Sequence, residues 1–391
     1  MRILLCAPFA PDPAANHGGG AYLGALAGAL AAQCELGVVC FGTDQELSAV
    51  PFRARLPWAQ AVPLRHRPTG PLRLAHQGLM LWRWRHQPLV AAKHWQRNFA
   101  AALATARAQF RPDVILLELA QLAQYLPGLL GTPTVFTDHE AGCPANTRTG
   151  LGRHGDQRDR RLWHRYVLRH YPLANLLQAL TREDAAQLAT QLDREVLVRP
   201  PVVTVPPRAA APGSAPPRAL FLGDYRHAPN VAAARRLALA VLPRLRSGCA
   251  GAELWLAGPN DAPLHDLDGR PGLRRLGFQP DLEALLGSVR LVLAPVDLGG
   301  GFRVKLLTAL AHGVPVVTNR LGARGLEVPA AARRLAEDDP GLAEAALGWL
   351  NNAAAAGAAG AAAHAWACQH VSPEAVARLQ LARCGELLRS G

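Results

Sequence analysis

The densest concentration of chemically capable residues runs from Pro295 to Thr318: Pro295-Val-Asp-Leu-Gly-Gly-Gly-Phe-Arg-Val-Lys-Leu-Leu-Thr-Ala-Leu-Ala-His-Gly-Val-Pro-Val-Val-Thr318. Its order predicts a strand end, a three-glycine loop, a helix over residues 304–311, and a Gly-Val-Pro turn into another strand. Glycines let a backbone approach a ligand closely, and a helix N-terminus offers unpaired N–H groups and a positive dipole end. Basic residues normally avoid that end. Arg303 and Lys305 stand there, which fits an anion shared between them; the alternative is a solvent-facing basic turn. Lys305, Thr308 and His312 follow at i, i+3 and i+7 and share one helix face, whereas Leu306, Leu307 and Leu310 face a core. One side of this helix is expected to pack and the other to look into a cleft.

Further polar residues fall at predicted element ends. Gly18, Gly19 and Gly20 open a helix after the first strand. His139 lies in Thr137-Asp-His-Glu140, directly after another predicted strand. His227 and Asn230 precede a long helix, where Asn230 could equally serve as its cap. Asp266-Leu-Asp268 forms D-x-D, a metal-binding pattern, but in a loop between weak strands, and no metal constellation stands out. There is no G-x-S-x-G for a serine hydrolase.

The elements that must hold these residues read as two α/β runs. In the first, apolar runs at 2–8 and 36–41 flank a helix from Gly18 to Ala32. Strands at 114–117 and 134–137 enclose a helical segment at 121–130. A strand at 173–180, a helix at 182–191 and a strand at 196–198 follow. Seven prolines between Pro200 and Pro217 mark a linker. The pattern then restarts: strand 219–222, helix 230–245, strand 253–257, a weak strand at 273–276 holding two arginines, and helix 281–286. Strand 291–294, helix 304–311 and strand 314–318 complete it. The tail is Ala-rich, with helices expected at 341–350 and 373–388 and a helix or spacer at 353–363. Two such units joined by a hinge imply two Rossmann-like domains, with ligands at the strand C-termini. The boundaries are 1–200, a linker at 201–217, a nucleotide-binding domain at 218–350, and a helical tail at 351–391.

Bulk properties narrow the partners. At 391 residues, half of them hydrophobic, the chain can fill two domain cores. The net charge of +13 favours anionic partners. Between Leu47 and Pro112 there are ten Arg and one Lys but no Asp or Glu. Trp and Arg interleave there, in Leu79-Met-Leu-Trp-Arg-Trp-Arg-His86 and around Lys93 and Arg97, as suits an anionic membrane surface; an ordinary basic or self-association surface is the alternative. Nucleic-acid-binding modules are lacking. Seven scattered cysteines without a C-x-x-C pair argue for a reducing compartment. No apolar stretch approaches the ~20 residues of a membrane-spanning helix, so a cytoplasmic protein, peripheral to the membrane at most, is expected.

The segment 295–318 resembles the sugar-nucleotide signature of GT-B fold glycosyltransferases, family 4 (glycosyl transferases group 1). Three further stretches resemble this group: Phe221-Leu-Gly-Asp-Tyr-Arg-His-Ala-Pro-Asn230, Gly322-Ala-Arg-Gly-Leu326 and His17-Gly-Gly-Gly20. The likeness runs from Met1 to about Val328 and is stronger in the second half. It implies an α/β GT-B fold, two Rossmann-like domains facing across a cleft with C-terminal helices crossing back to the first. It implies a hexosyltransferase-type enzyme, retaining in stereochemistry, moving sugar from a nucleoside-diphosphate donor to a saccharide or lipid-linked acceptor without a metal cofactor. Gly299, Gly301, Arg303 and Lys305 would hold the pyrophosphate, and Gly18 and Gly19 would approach from the other domain. His139 would contact the donor sugar, and His227 and Asn230 the nucleotide. The group's second Glu, which grips the ribose, is here Thr308, and the acid of its Gly-Ala-Glu-Gly-Leu turn is Arg324. A nucleotide-sugar epimerase of the same architecture and a catalytically silent GT-B binding protein are the alternative readings.

Overall fold

The computed structural model describes residues 1–15, 18–64, 72–142, 149–150, 152–297 and 304–390. The chain divides into two compact units. Met1–Val202 and Pro373–Gly391 form the first, and the described residues between Val203 and Ser372 form the second.

In the first unit the strands are β1 (Arg2–Ala7), β2 (Glu35–Phe41), β3 (Trp58–Val62), β4 (Val114–Glu118), β5 (Thr134–Asp138), β6 (Leu176–Ala179) and β7 (Leu197–Val198). The helices are α1 (Gly18–Ala31), α2 (Asp44–Ser48), α3 (Leu72–Trp84), α4 (Leu89–His94), α5 (Arg97–Gln109), α6 (Gly152–His170) and α7 (Arg182–Leu192). The strands pair in parallel in the order β3-β2-β1-β4-β5-β6-β7. Successive side chains of a strand point to opposite faces. Leu4, Cys6, Val39, Phe41, Ile115 and Leu117 accordingly enter one core. Ile3, Leu5, Val38, Cys40, Val114 and Leu116 enter the other, on which α1 packs Leu23, Leu26 and Leu30. A sheet buried on both faces needs unbroken apolar strands, and β1 and β4 are of that kind.

The second unit contains β8 (Arg218–Leu222), β9 (Glu253–Ala257), β10 (Leu273–Gly277), β11 (Leu291–Leu293), β12 (Val316–Thr318) and β13 (Arg333–Leu335). Its helices are α8 (Ala228–Arg236), α9 (Leu242–Gly248), α10 (Leu282–Gly287), α11 (Val304–Ala311), α12 (Asp339–Leu350) and α13 (Ala353–His370). The sheet is again parallel, in the order β10-β9-β8-β11-β12-β13. Each sheet has the strand order that reverses direction beside its first strand, so each unit is Rossmann-like. The last helix, α14 (Pro373–Ser390), belongs to the first unit, where it packs on α1. Of the C-terminal helices, α14 therefore returns to the first domain while α12 and α13 stay with the second.

Several elements depart from the sequence expectation. The strand expected at 173–180 is limited to β6, because Tyr171–Leu173 forms a 3-10 turn. The helical segment at 121–130 is a 3-10 run, Ala120–Leu129, containing Pro127, which cannot donate to an α-helical ladder. The long helix after Asn230 begins at Ala228 and passes through a π-type turn, Leu237–Val241, into α9, where Pro243 also lacks the donor N–H. The weak strand with two arginines is real because it is a sheet edge: Arg274 lies over the Trp255 ring, and Arg275 pairs with Asp261 and Asp268. The Ala-rich run is helix α13.

Candidate functional site

In a doubly wound sheet the crevice forms where loops leave neighbouring strands in opposite directions. In the second unit those strands are β8 and β11. The loop after β8 carries Gly223, Asp224 and His227, and the run after β11 leads to α11. Two contacts shape the floor. Asn319, just past β12, accepts from the Val296 amide (3.2 Å) and donates to the Val296 carbonyl (2.8 Å), tying the β11 and β12 loops together. Gly258, at φ +141°, passes so close to Gly223 that an added Cβ would lie 1.6 Å from the Gly223 carbonyl oxygen. Only glycine permits that approach.

Gly299, Gly301 and Arg303 lie outside the described residues. Lys305 is described, in the first turn of α11, with its side chain at the surface. Crowding by surrounding protein atoms nevertheless strips water from its ammonium and lowers its pKa, an effect opposed by Asp224. Asp224 is itself engaged: its carboxylate accepts from the Arg226 guanidinium (2.7 Å) and from Asn260 (3.0 Å), and the Arg226 bonds hold its pKa well below the usual range. Lys305 makes no ion pair among the described residues, so its charge is available to an anion at the helix N-terminus.

The other predicted residues fall as follows. His227 is exposed and is the N-cap residue of α8, without a side-chain cap bond. Asn230 is therefore not the cap; its Nδ2 donates to the Asp224 carbonyl (2.9 Å) and braces the loop that carries His227. Thr308 gives its hydroxyl hydrogen to the Val304 carbonyl one turn back (2.8 Å), so only its oxygen lone pairs remain for a ligand. His312 donates to the Thr308 carbonyl (2.8 Å) and lines a hollow of about 430 Å³ with Arg208, Asp281 and Glu283. Seven residues of helix separate it from Lys305, roughly 10 Å of rise, so the shared face serves two surroundings. The D-x-D carboxylates are taken by different arginines, Asp266 by Arg235 and Asp268 by Arg275. Among the described residues no group of three metal-ligating side chains is assembled.

In the first unit, Gly18 and Gly19 open α1 after β1, and His139 directly follows β5. Sequence reasoning did not find what surrounds His139. Its Nε2 donates to the Glu118 carboxylate at the end of β4 (3.0 Å), which fixes a hydrogen on that nitrogen. Glu118 is also gripped in bidentate fashion by Arg199, with both bonds at 2.7 Å, and neither Glu118 nor Arg199 has any solvent exposure. Arg199 donates as well to the Tyr22 hydroxyl (2.7 Å), and the Tyr22 ring meets the imidazole edge-on at 5.2 Å. Burial would raise the Glu118 pKa, but Arg199 and His139 together hold it down to about 2. The neighbouring Asp138 is fully buried and raised by that burial, while accepting from the Tyr171 hydroxyl (2.6 Å) and the Glu140 amide (2.8 Å). His139 is thus held on its inner side by a rigid charged network.

Residues 216–352, which contain the β8–β13 sheet, match the family model Glycosyl transferases group 1. No curated protein sequence matches the chain. Among solved structures, HepE of Anabaena in complex with UDP is similar over 99% of this chain and 100% of its own, at 14% identity and a TM-score of 0.65. Sucrose-phosphate synthase from Thermosynechococcus elongatus covers 100% of both chains at 16% identity and 0.65. The TarM structure covers 99% of both chains at 10% identity and 0.62. Over the whole chain the likeness to these structures is one of fold, two Rossmann-like units as in GT-B proteins. Within it, residues 216–352 are the part that carries the group 1 signature.

Proposed function

We propose that this protein is a retaining, family 4 hexosyltransferase that moves a sugar from a nucleoside-diphosphate donor to an acceptor hydroxyl in polysaccharide or glycolipid synthesis. The observation that carries the reading is Lys305: an ammonium without an ion-pair partner among the described residues, in the first turn of a helix after a glycine run, inside the segment that matches group 1. Neighbouring structures that are UDP and UDP-glucose complexes support a donor of that class. In this reading Arg303, Lys305 and the N-terminus of α11 stabilise the diphosphate as the glycosidic C–O bond breaks. Gly299 and Gly301 let the backbone approach it, and Gly18 and Gly19 do the same from the first domain. The acceptor hydroxyl forms its bond on the same face of the sugar, and its proton passes to the departing phosphate. His139, oriented by Glu118, contacts the sugar. No metal is required, because the cations carry the leaving-group charge.

Calorimetric titration with UDP-, GDP- and ADP-sugars tests the proposal. One of them is expected to bind; binding of none would sink it. The bonded Thr308 hydroxyl favours a second reading, a silent GT-B protein that binds donor weakly and transfers nothing. Donor binding without turnover across an acceptor panel would support that one. We further place the protein in the cytoplasm, peripheral to an anionic membrane surface. No described helix is long and apolar enough to cross a membrane, and Leu81 and Trp82 of α3 stand 55% and 59% exposed beside Arg83 and Arg85.

A further inference from the structure

Where α4 turns into α5, a hollow of about 430 Å³ opens in the first unit. Arg83, Lys93 and Arg97 line it, together with Trp95, Gln96 and Asn98. The charges meet without a carboxylate. The surrounding sequence from Leu47 to Pro112 has no acid to offer, and none of the three cations forms an ion pair among the described residues. Arg83 is half-buried, and its pKa is lowered by that burial, with the charge of Arg97 adding to the effect. Like charges held together cost stability unless an anion is shared between them.

The corner is also rigid. Arg83 donates to the Trp95 carbonyl (3.0 Å). The Tyr125 hydroxyl donates to the His94 carbonyl (2.6 Å) and accepts from the Gln96 amide (2.8 Å), and the Tyr125 ring stacks on Trp95 at 5.1 Å. Arg97 and Asn98 begin the thirteen-residue helix α5 after its N-cap residue Gln96, and its positive dipole end adds to the field. No side chain caps that end.

We propose that this hollow is a binding site for a phosphate group, separate from the donor clamp at Lys305. The phosphate belongs to a soluble sugar phosphate or to a lipid headgroup. Arg83 supplies the fixed guanidinium, Lys93 and Arg97 close on the oxygens from the rim, and Trp95 offers a flat wall to the attached group. The site stands whether or not the protein transfers sugar.

The test compares wild type, the Lys93→Gln/Arg97→Gln double variant and Lys305→Ala. Both rim side chains are exposed, so the double variant is expected to keep the wild-type melting temperature. Each protein is titrated with glucose 6-phosphate and sedimented with vesicles of phosphatidylglycerol, against phosphatidylcholine as control. Loss of two charged hydrogen-bond donors should weaken phosphate binding about tenfold or more, whereas Lys305→Ala should retain it. Sugar-phosphate binding lost in the double variant identifies a soluble ligand. Vesicle binding alone, lost in the same variant, identifies a headgroup. If neither probe binds, if the double variant binds both as wild type does, or if only Lys305→Ala weakens binding, the proposal is overturned.

Discussion

Glu118→Gln is the sharpest perturbation the structure offers, because it removes one charge from a pair that has no access to water. The substitution is nearly isosteric, but it leaves the Arg199 guanidinium buried without its counter-charge, held only by an amide oxygen and the Tyr22 hydroxyl. Breaking a buried pair in this way costs about 3–5 kcal/mol. The pH dependence gives an independent handle. Glu118 has a folded pKa of about 2, against about 4.3 in an unfolded chain, a gap worth about 3 kcal/mol. Because the folded value is the lower one, this stabilisation is present above about pH 4.3 and is lost as pH falls through the window towards about 2. Urea unfolding followed by tryptophan fluorescence measures both effects, with a separate transition fitted for each unit since two domains need not melt together. At neutral pH the first-unit transition of Glu118→Gln should fall by the stated amount, and its acid limb should be shallower than that of wild type. Glu118→Leu combined with Arg199→Met removes both charges and should be less destabilised than the sum of the single changes. A loss below about 1 kcal/mol in Glu118→Gln, with an acid limb parallel to wild type, would refute the reasoning.

Other outcomes follow from the second unit. Lys305→Ala should weaken binding of the sugar-nucleotide donor by about tenfold or more in calorimetry, and unchanged affinity would remove Lys305 from the site. Because desolvation lowers the Lys305 pKa, wild-type donor affinity should decline on the alkaline side before an ordinary lysine, near pH 10.4, would lose its proton. Thr308→Glu frees the Val304 carbonyl and places a carboxylate where the proposed function puts the ribose. Donor affinity should rise by about tenfold, and no gain would mean that this helix face does not meet the ribose. Gly258→Ala should abolish the second-unit unfolding transition, since its Cβ has no room beside Gly223; a soluble variant with a wild-type melt would contradict the packing.

Much of the fold was legible in the sequence where local periodicity alone is decisive. The unbroken apolar runs of β1 and β4, the alternation that feeds two cores, the glycine entry to α1, and the bounds of β9 and α11 could be read directly. The edge strands β3 and β13 were not, because they carry Trp, Gln and Arg and owe their strand form to one neighbour each. Nor was α6, whose many charges hide a stripe of Leu162, Trp163, Tyr166, Val167 and His170.

The candidate site divides along the same line. Lys305 was visible because a lysine, a glycine run and a helix start lie within a few residues, so their convergence is local. Thr308 was visible too, but only tertiary structure showed that its hydroxyl is already bonded to Val304. Glu118, Arg199 and Tyr22 could not have been found together. Arg199 lies 81 residues from Glu118 and 177 from Tyr22. No sequence period links such positions; they meet because the parallel sheet sets the end of β4 beside β1 and β5, and the long Arg199 side chain, just past β7, reaches Glu118 and Tyr22. The acid-free composition of residues 47–112 promised an anionic partner. Only the packing of α3 on α4 and the turn into α5 bring Arg83, Lys93 and Arg97 to one hollow.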